Sequence, residues 1–174
     1  MNKELNINHE ITPNNWKPLV QLKHLVFDND ALVSINDYNS ESLLQEFVDA
    51  KSQLCYIDPV FIELSNTNNA KLRIQRQNIL SRFKFSQLPI SLVTSQRLRT
   101  LHSWLTMNSV FPSPTDVYLA GILDHFSLNQ SVIMVTSNIK DFPEPLFIKV
   151  GFIILHGEKS CKVLTLLKIN PSVL

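Results

Sequence analysis

Short runs of apolar residues, too short for helices, recur along this chain with helical segments between them. Residues 24–28 (HLVFD) are the clearest case. A near-continuous apolar run of this length suits a strand covered on both faces, as in parallel sheets. Residues 54–57 (LCYI), 88–93 (LPISLV) and 131–135 (SVIMV) repeat the pattern. Residues 147–155 and 161–169 predict two further strands, joined through a turn at HGEKS. The intervening segments read as helices. Residues 31–35 begin one, and a second runs from Ser40, an N-cap residue type, to Ala50, with Leu43, Leu44, Phe47 and Val48 on one stripe. Pro59 opens a third, which carries Phe61, Ile62 and Glu63. In residues 68–83, Leu72, Ile79, Leu80 and Phe83 share a face, and Arg73 and Arg76 lie away from it. Thr94 or Ser95 caps a helix whose apolar face is Leu98, Leu101 and Leu105. Residues 113–126 (SPTDVYLAGILDHF) start with Ser113 at N-cap, Pro114 in the first turn and Asp116 three after the cap. Strands separated by helices imply right-handed crossovers. The expected fold is therefore α/β, a three-layer α/β/α arrangement with a central, mainly parallel sheet and an antiparallel strand at its C-terminal edge.

A chain of 174 residues suits one domain with a real core, and 44% apolar content argues against disorder throughout. Residues 1–22 are polar, Asn-rich and broken by Pro13 and Pro18. They read as an N-terminal extension with Trp16 as an anchor, leaving residues 23–174 as the domain. No apolar run approaches the ~20 residues of a membrane span, and the N-terminus lacks the apolar stretch of a signal peptide. Cys55 and Cys161 each sit in an apolar run without metal-ligand spacing. They are expected to be reduced core thiols of a cytoplasmic protein. Three glycines leave no phosphate-binding glycine loop. His24, His102, His125 and His156 lack zinc spacing. No serine or cysteine stands in a nucleophile-elbow context. His125 reads as a helix-surface residue, and Trp104 and Tyr118 as packing groups.

The carboxylates are placed differently. In an open α/β sheet, sites form outside the carboxyl ends of the strands. Asp28 ends the first predicted strand, and Asp30 follows one residue later. Glu63 lies on the helix after the second strand, Asp116 in the first turn of the helix before the fourth, and Asp141 in the loop after it. Each has a plain structural reading: helix caps for Asp28 and Asp30, a dipole partner for Asp116, a solvated helix residue for Glu63 and a turn former for Asp141. Together they would share one edge of one sheet. Four gathered carboxylates repel one another, and a hard divalent cation relieves that repulsion. Oxygen ligands suit magnesium or manganese, and such sites hydrolyse phosphodiesters.

Net charge is +1, but the charge is unevenly spread. Between Leu64 and Thr115 there is no acid, whereas Lys71, Arg73, Arg76, Arg82, Lys84, Arg97 and Arg99 all fall there. A one-signed region either presents a basic surface to a polyanion or forms a solvated helix face.

These segments together resemble the PIN-domain family of nucleases over residues 24–155. VFDNDALVS resembles the family's opening strand, with Asp28 as first acid and Asp30 at a supporting polar position. PVFIELS resembles the segment of the second acid, Glu63, and SPTDVYLAGILDHF that of the third, Asp116. VTSNIKDF resembles the Thr-x-Asn-x-x-Asp-Phe segment of VapC-type toxins, so the fourth position falls on Asn138 or Asp141. Asn29 stands where the family more often has threonine or serine. The resemblance implies a toxin-like, Mg2+- or Mn2+-dependent endoribonuclease, with Asp28, Glu63, Asp116 and Asp141 holding the metal. It also implies RNA contacts from Arg73, Arg76, Arg97 and Arg99, an antitoxin protein as partner, and a homodimer. A PIN-like binding module without catalysis is the alternative.

Overall fold

The computed structural model describes residues 8–108, 110–129 and 131–174. Residues 1–7 of the expected extension lie outside the described residues. In chain order the strands are β1 (His9–Thr12), β2 (His24–Phe27), β3 (Gln53–Tyr56), β4 (Ser86–Gln87), β5 (Val132–Thr136), β6 (Phe147–His156) and β7 (Cys161–Ile169). The helices are α1 (Lys17–Val20), α2 (Asn29–Asp37), α3 (Ser42–Asp49), α4 (Asp58–Ser65), α5 (Ala70–Arg82), α6 (Ser95–Met107) and α7 (Pro114–His125). The strands form one sheet in the order β1-β6-β7-β5-β2-β3-β4.

The sheet is mixed, which corrects the expectation of a mainly parallel one. β2 pairs in parallel with β3 and with β5, and β3 with β4. β7 is antiparallel to both β5 and β6, and β1 is antiparallel to β6. Two strands joined by a turn as short as residues 157–160 must run antiparallel. The C-terminal strand is also not at the edge. β7 inserts between β5 and β6, and the edge falls to β1. In the parallel part both faces of β2 are covered: Phe27 packs on Phe47 of α3 and on Phe85, while His24 stacks on Phe126 just past α7. β6 instead alternates, with Phe147, Gly151, Ile153 and Leu155 buried and Ile148 and Phe152 exposed. One face of the antiparallel part therefore meets solvent, as such sheets allow.

Three further expectations change. Residues 88–93 are not a strand. Pro89 removes a ladder donor inside that run, so pairing is limited to Ser86–Gln87 against Cys55 and Tyr56, and Ile90–Leu92 form a 3-10 turn. Ser40 does not cap α3: its hydroxyl donates to the carbonyls of Asn8 and Tyr38, and the helix starts at Ser42. The segment from His9 to Val20, expected as an extension, adds a strand to the sheet. Ile11 and Thr12 pair with Ile153 and Phe152, and Trp16 is buried edge-on against Phe47 at 5.6 Å. Gly151 permits the β1 approach, because a Cβ there would lie 2.7 Å from the Thr12 carbonyl oxygen. Other readings hold. Thr94 accepts from the Arg97 amide to cap α6, and Ser113 and Asp116 close a reciprocal capping box on α7. His125 is exposed, and Trp104 and Tyr118 pack against the core.

Candidate active site

Two central parallel strands, β2 and β5, end side by side, with Phe27 opposite Val135. Asp28 leaves β2 there. Its backbone occupies the N-cap position of α2, but its side chain makes no capping hydrogen bond. The plain reading of Asp28 as a helix cap therefore fails. The carboxylate turns instead toward the end of β5, where the fully buried Thr136 hydroxyl donates to Oδ2 at 2.8 Å. Asp28 is 5% exposed. Burial pushes its carboxyl up to about 7, and the charges of Asp30 and Asp116 add to that rise. The Thr136 hydroxyl and the Asn29 amide pull the other way without offsetting it.

Thr136 connects two carboxylates. Its Oγ1 also accepts the Asn138 amide at 3.0 Å, and the Asn138 side-chain amide donates to Asp141 Oδ2. Asp141 lies in the 3-10 turn after β5, and its carboxyl is raised first by burial and then by the charge of Asp116. Thr136 was not singled out from the sequence. Its signal there is a hydroxyl at the last position of an otherwise apolar run. Replacing it by valine leaves a buried carboxylate without its side-chain donor, a change of about 1–3 kcal/mol. Thr136→Val is expected to raise the Asp28 carboxyl further and to lower the melting temperature above neutral pH. Carboxyl NMR titration and thermal unfolding check the two parts.

Asp116, 8% exposed, does have the local role that its position suggests. Its Oδ2 accepts from the Ser113 amide at 2.7 Å and from the Ser113 hydroxyl at 2.6 Å. Glu63 reaches the same helix start from α4 and accepts from the Thr115 hydroxyl. It is not among the charges that Asp28 or Asp141 feels. The charges of Asp30 and Asp116 thus reach both Asp28 and Asp141, and Glu63 is tied in through Thr115. Among the described residues no three acids or imidazoles converge as a preformed ligand set. Each of Asp116, Asp28 and Asp141 accepts from its own hydroxyl or amide.

The oxygens available to a cation can still be named. Those hydrogen bonds use Oδ2 of Asp116, Oδ2 of Asp141 and Oε1 of Glu63, which leaves the second oxygen of each. The side-chain oxygen of Asn29, adjacent to Asp28, is buried with no hydrogen-bond partner. The carboxylate oxygens left over form an all-oxygen donor set. That composition fits magnesium or manganese better than a soft metal.

The basic stretch is less open than its composition suggests. Arg97 is held in a two-pronged bridge, Nε and Nη2 to the Asp124 carboxylate at 2.5 and 2.6 Å. Of the four arginines expected to contact RNA, it is the one seen here in an ion pair with a carboxylate. Arg82 pairs with Glu41. Lys71, Arg73, Lys84 and Arg99 are exposed, and Arg76 is half-buried.

Cys55 is a buried free thiol, as expected, and burial pushes it up to about 12. Cys161 is exposed, which corrects its assignment to the core. It opens β7 at the hairpin turn, beyond the part of the strand that packs inward.

No protein-family model matches the chain, and no characterised protein matches it in sequence. Solved structures do match in fold. One is a chain of the DNA-bound VapBC complex from Salmonella typhimurium, with a TM-score of 0.52 and 15% identity over 69% of this chain and 90% of that one. Another is VapBC2 from Rickettsia felis bound to a DNA fragment from its promoter, with a TM-score of 0.48 and 19% identity over 68% of this chain and 90% of that one. At such identities the likeness is one of fold. Among the described residues no helix is long and apolar enough to cross a membrane.

Proposed function

We propose that this edge of the sheet binds magnesium or manganese and hydrolyses RNA phosphodiesters, in a toxin-like ribonuclease. The observation that carries the reading is Asp28. A carboxyl raised to about 7 by burial, with two more acids beside it, destabilises the fold and caps nothing. Such a group makes sense where a cation arrives to meet it. Asp28, Glu63, Asp116 and Asp141 would hold the metal, with Asn29 and Asn138 as neutral oxygen donors or orienters. When bound, the ion would neutralise the acids, polarise a phosphate oxygen and activate water. The chain's own part is positional. Thr136 fixes Asp28, the capping box fixes Asp116, Asn138 fixes Asp141 and Thr115 fixes Glu63.

RNA would approach across Arg73, Arg76 and Arg99. Each phosphate contact removed lowers the salt slope of single-strand binding by about 0.7. Arg73→Ala and Arg99→Ala should each show that drop in titrations across salt concentration, and Arg97→Ala should instead lower stability. The fold likeness to a VapBC complex supports an antitoxin protein as partner of this chain, and a homodimer in a cytoplasmic setting completes the proposal.

A second reading is a PIN-like module without catalysis, favoured by the carboxylates not converging. One experiment separates the two. Wild type and Asp28→Asn/Asp116→Asn are incubated with a mixed structured RNA pool in magnesium, in manganese and in EDTA. Metal-dependent cleavage by wild type alone supports the ribonuclease, whereas no cleavage in either metal supports the inert module.

A further inference from the structure

At the far end of the β6–β7 hairpin, three strands bring a thiol, an imidazole and a carboxylate into a row. Cys161 and His156 are directly opposite each other as the last pair of the ladder. Cys161 Sγ lies 3.4 Å from His156 Nδ1. On the other side of the ring, His156 Nε2 lies 3.2 Å from Glu10 Oε1 of β1. That second contact has ion-pair distance but is off the line of a hydrogen bond, so Glu10 acts on the ring mainly through charge. A cavity of about 730 Å³ opens beside the ring, lined by Asn8, Tyr38, Gly157, Glu158 and Ser160. Its wall is braced by the Tyr38 hydroxyl against Ser160 Oγ at 3.0 Å.

We infer that Cys161, paired with His156 and Glu10, is a reactive thiol that exchanges with small disulfides. A nucleophile with a base within hydrogen-bond reach is the core of an activated nucleophile, and the thiolate is the form that reacts; Glu10 adds a negative charge on the far side of the base. Cys161 Sγ gives its proton to His156 Nδ1. The thiolate attacks one sulfur of the small disulfide R–S–S–R, forming the Cys161–S–S–R bond as the R–S–S–R bond breaks. The electron pair leaves on the second sulfur, and RS⁻ takes the proton back from His156. The protein thiol is oxidised, and one half of the small disulfide is reduced. Other charged groups near the hairpin end are Asp37 and Glu158 on the cavity side and Lys159 and Lys162 on the chain itself. Cys55 is buried and does not compete.

This inference is independent of the carboxylate site, and its test is separate. The probe is 5,5′-dithiobis(2-nitrobenzoate), itself a disulfide, and the release of thionitrobenzoate is followed from about pH 6 to 9. Wild type, Cys161→Ser, His156→Asn and Glu10→Gln are compared with a peptide of residues 155–165. The expected result is one fast equivalent, absent in Cys161→Ser, reacting about tenfold faster than the peptide at the acid end of the range. His156→Asn should bring the rate and its pH profile to those of the peptide, with Glu10→Gln falling between. Should His156→Asn fail to fold by circular dichroism, Glu10→Gln carries the comparison. A native rate no faster than the peptide, or an advantage that survives His156→Asn, overturns the inference.

Discussion

Asp28→Asn is expected to melt well above wild type at about pH 8 without added metal, and to cleave no RNA. The physical basis is linkage. In the unfolded chain Asp28 titrates near 3.8, and in the folded protein near 7. Between those values the folded state keeps a proton that the unfolded chain has lost. Stability associated with this group is thus complete below about pH 4 and falls as pH rises toward 7. At pH 8 the accumulated cost is about 4 kcal/mol. Asparagine is the isostere of the neutral acid and still accepts from Thr136, so it removes the cost without a cavity. At about 2–4 °C per kcal/mol for a chain of this size, the gain is on the order of 10 °C, and it should vanish near pH 4. Unfolding scans of the two proteins over that pH range check the sign. A variant less stable than wild type at pH 8 would contradict the burial of a charged Asp28.

Divalent metal should have the second largest effect, in the same direction. A ligand that binds only the folded state at a hundred times its dissociation constant adds about 2.7 kcal/mol, on the order of 5–10 °C here. The shift should be larger at pH 8 than at pH 5, because protonated carboxylates are poor ligands. It should be largely absent in Asp28→Asn/Asp116→Asn, and calcium-free buffer with EDTA should abolish it. A wild-type melting temperature indifferent to both magnesium and manganese would leave the acids as structural residues.

Much of this arrangement was legible in the sequence, and the failures have definite causes. Apolar runs of four or five residues located β2, β3 and β5, because strands covered on both faces have a composition that helices and loops lack. The S-P-T-D start of α7 located its cap and, with it, Asp116. The carboxyl ends of the strands then located Asp28 and Asp141. The run at 88–93 misled because apolar composition outweighed Pro89, which forbids pairing there. The mixed sheet was missed because strand order is not a local property. Nothing within 161–169 says that this strand will insert between β5 and β6 rather than remain outside. His9–Thr12 is mostly polar, and the close approach of Thr12 depends on the missing side chain of Gly151, far away in sequence. Side-chain partners were the least legible layer. The bridge from Arg97 to Asp124 spans 27 positions, and the hydroxyl of Thr136 meets a carboxylate 108 positions away.

The account depends on Asp28 being a carboxyl that burial keeps protonated until a cation takes the place of the proton. Calorimetric titration of manganese into the metal-free protein at about pH 6, repeated in buffers of different ionisation enthalpy, counts the protons released on binding. Close to one proton per ion bound by wild type, and a marked loss of affinity and of that proton in Asp28→Asn, is the predicted result. Absence of binding, or binding with the same proton count in both proteins, would contradict it.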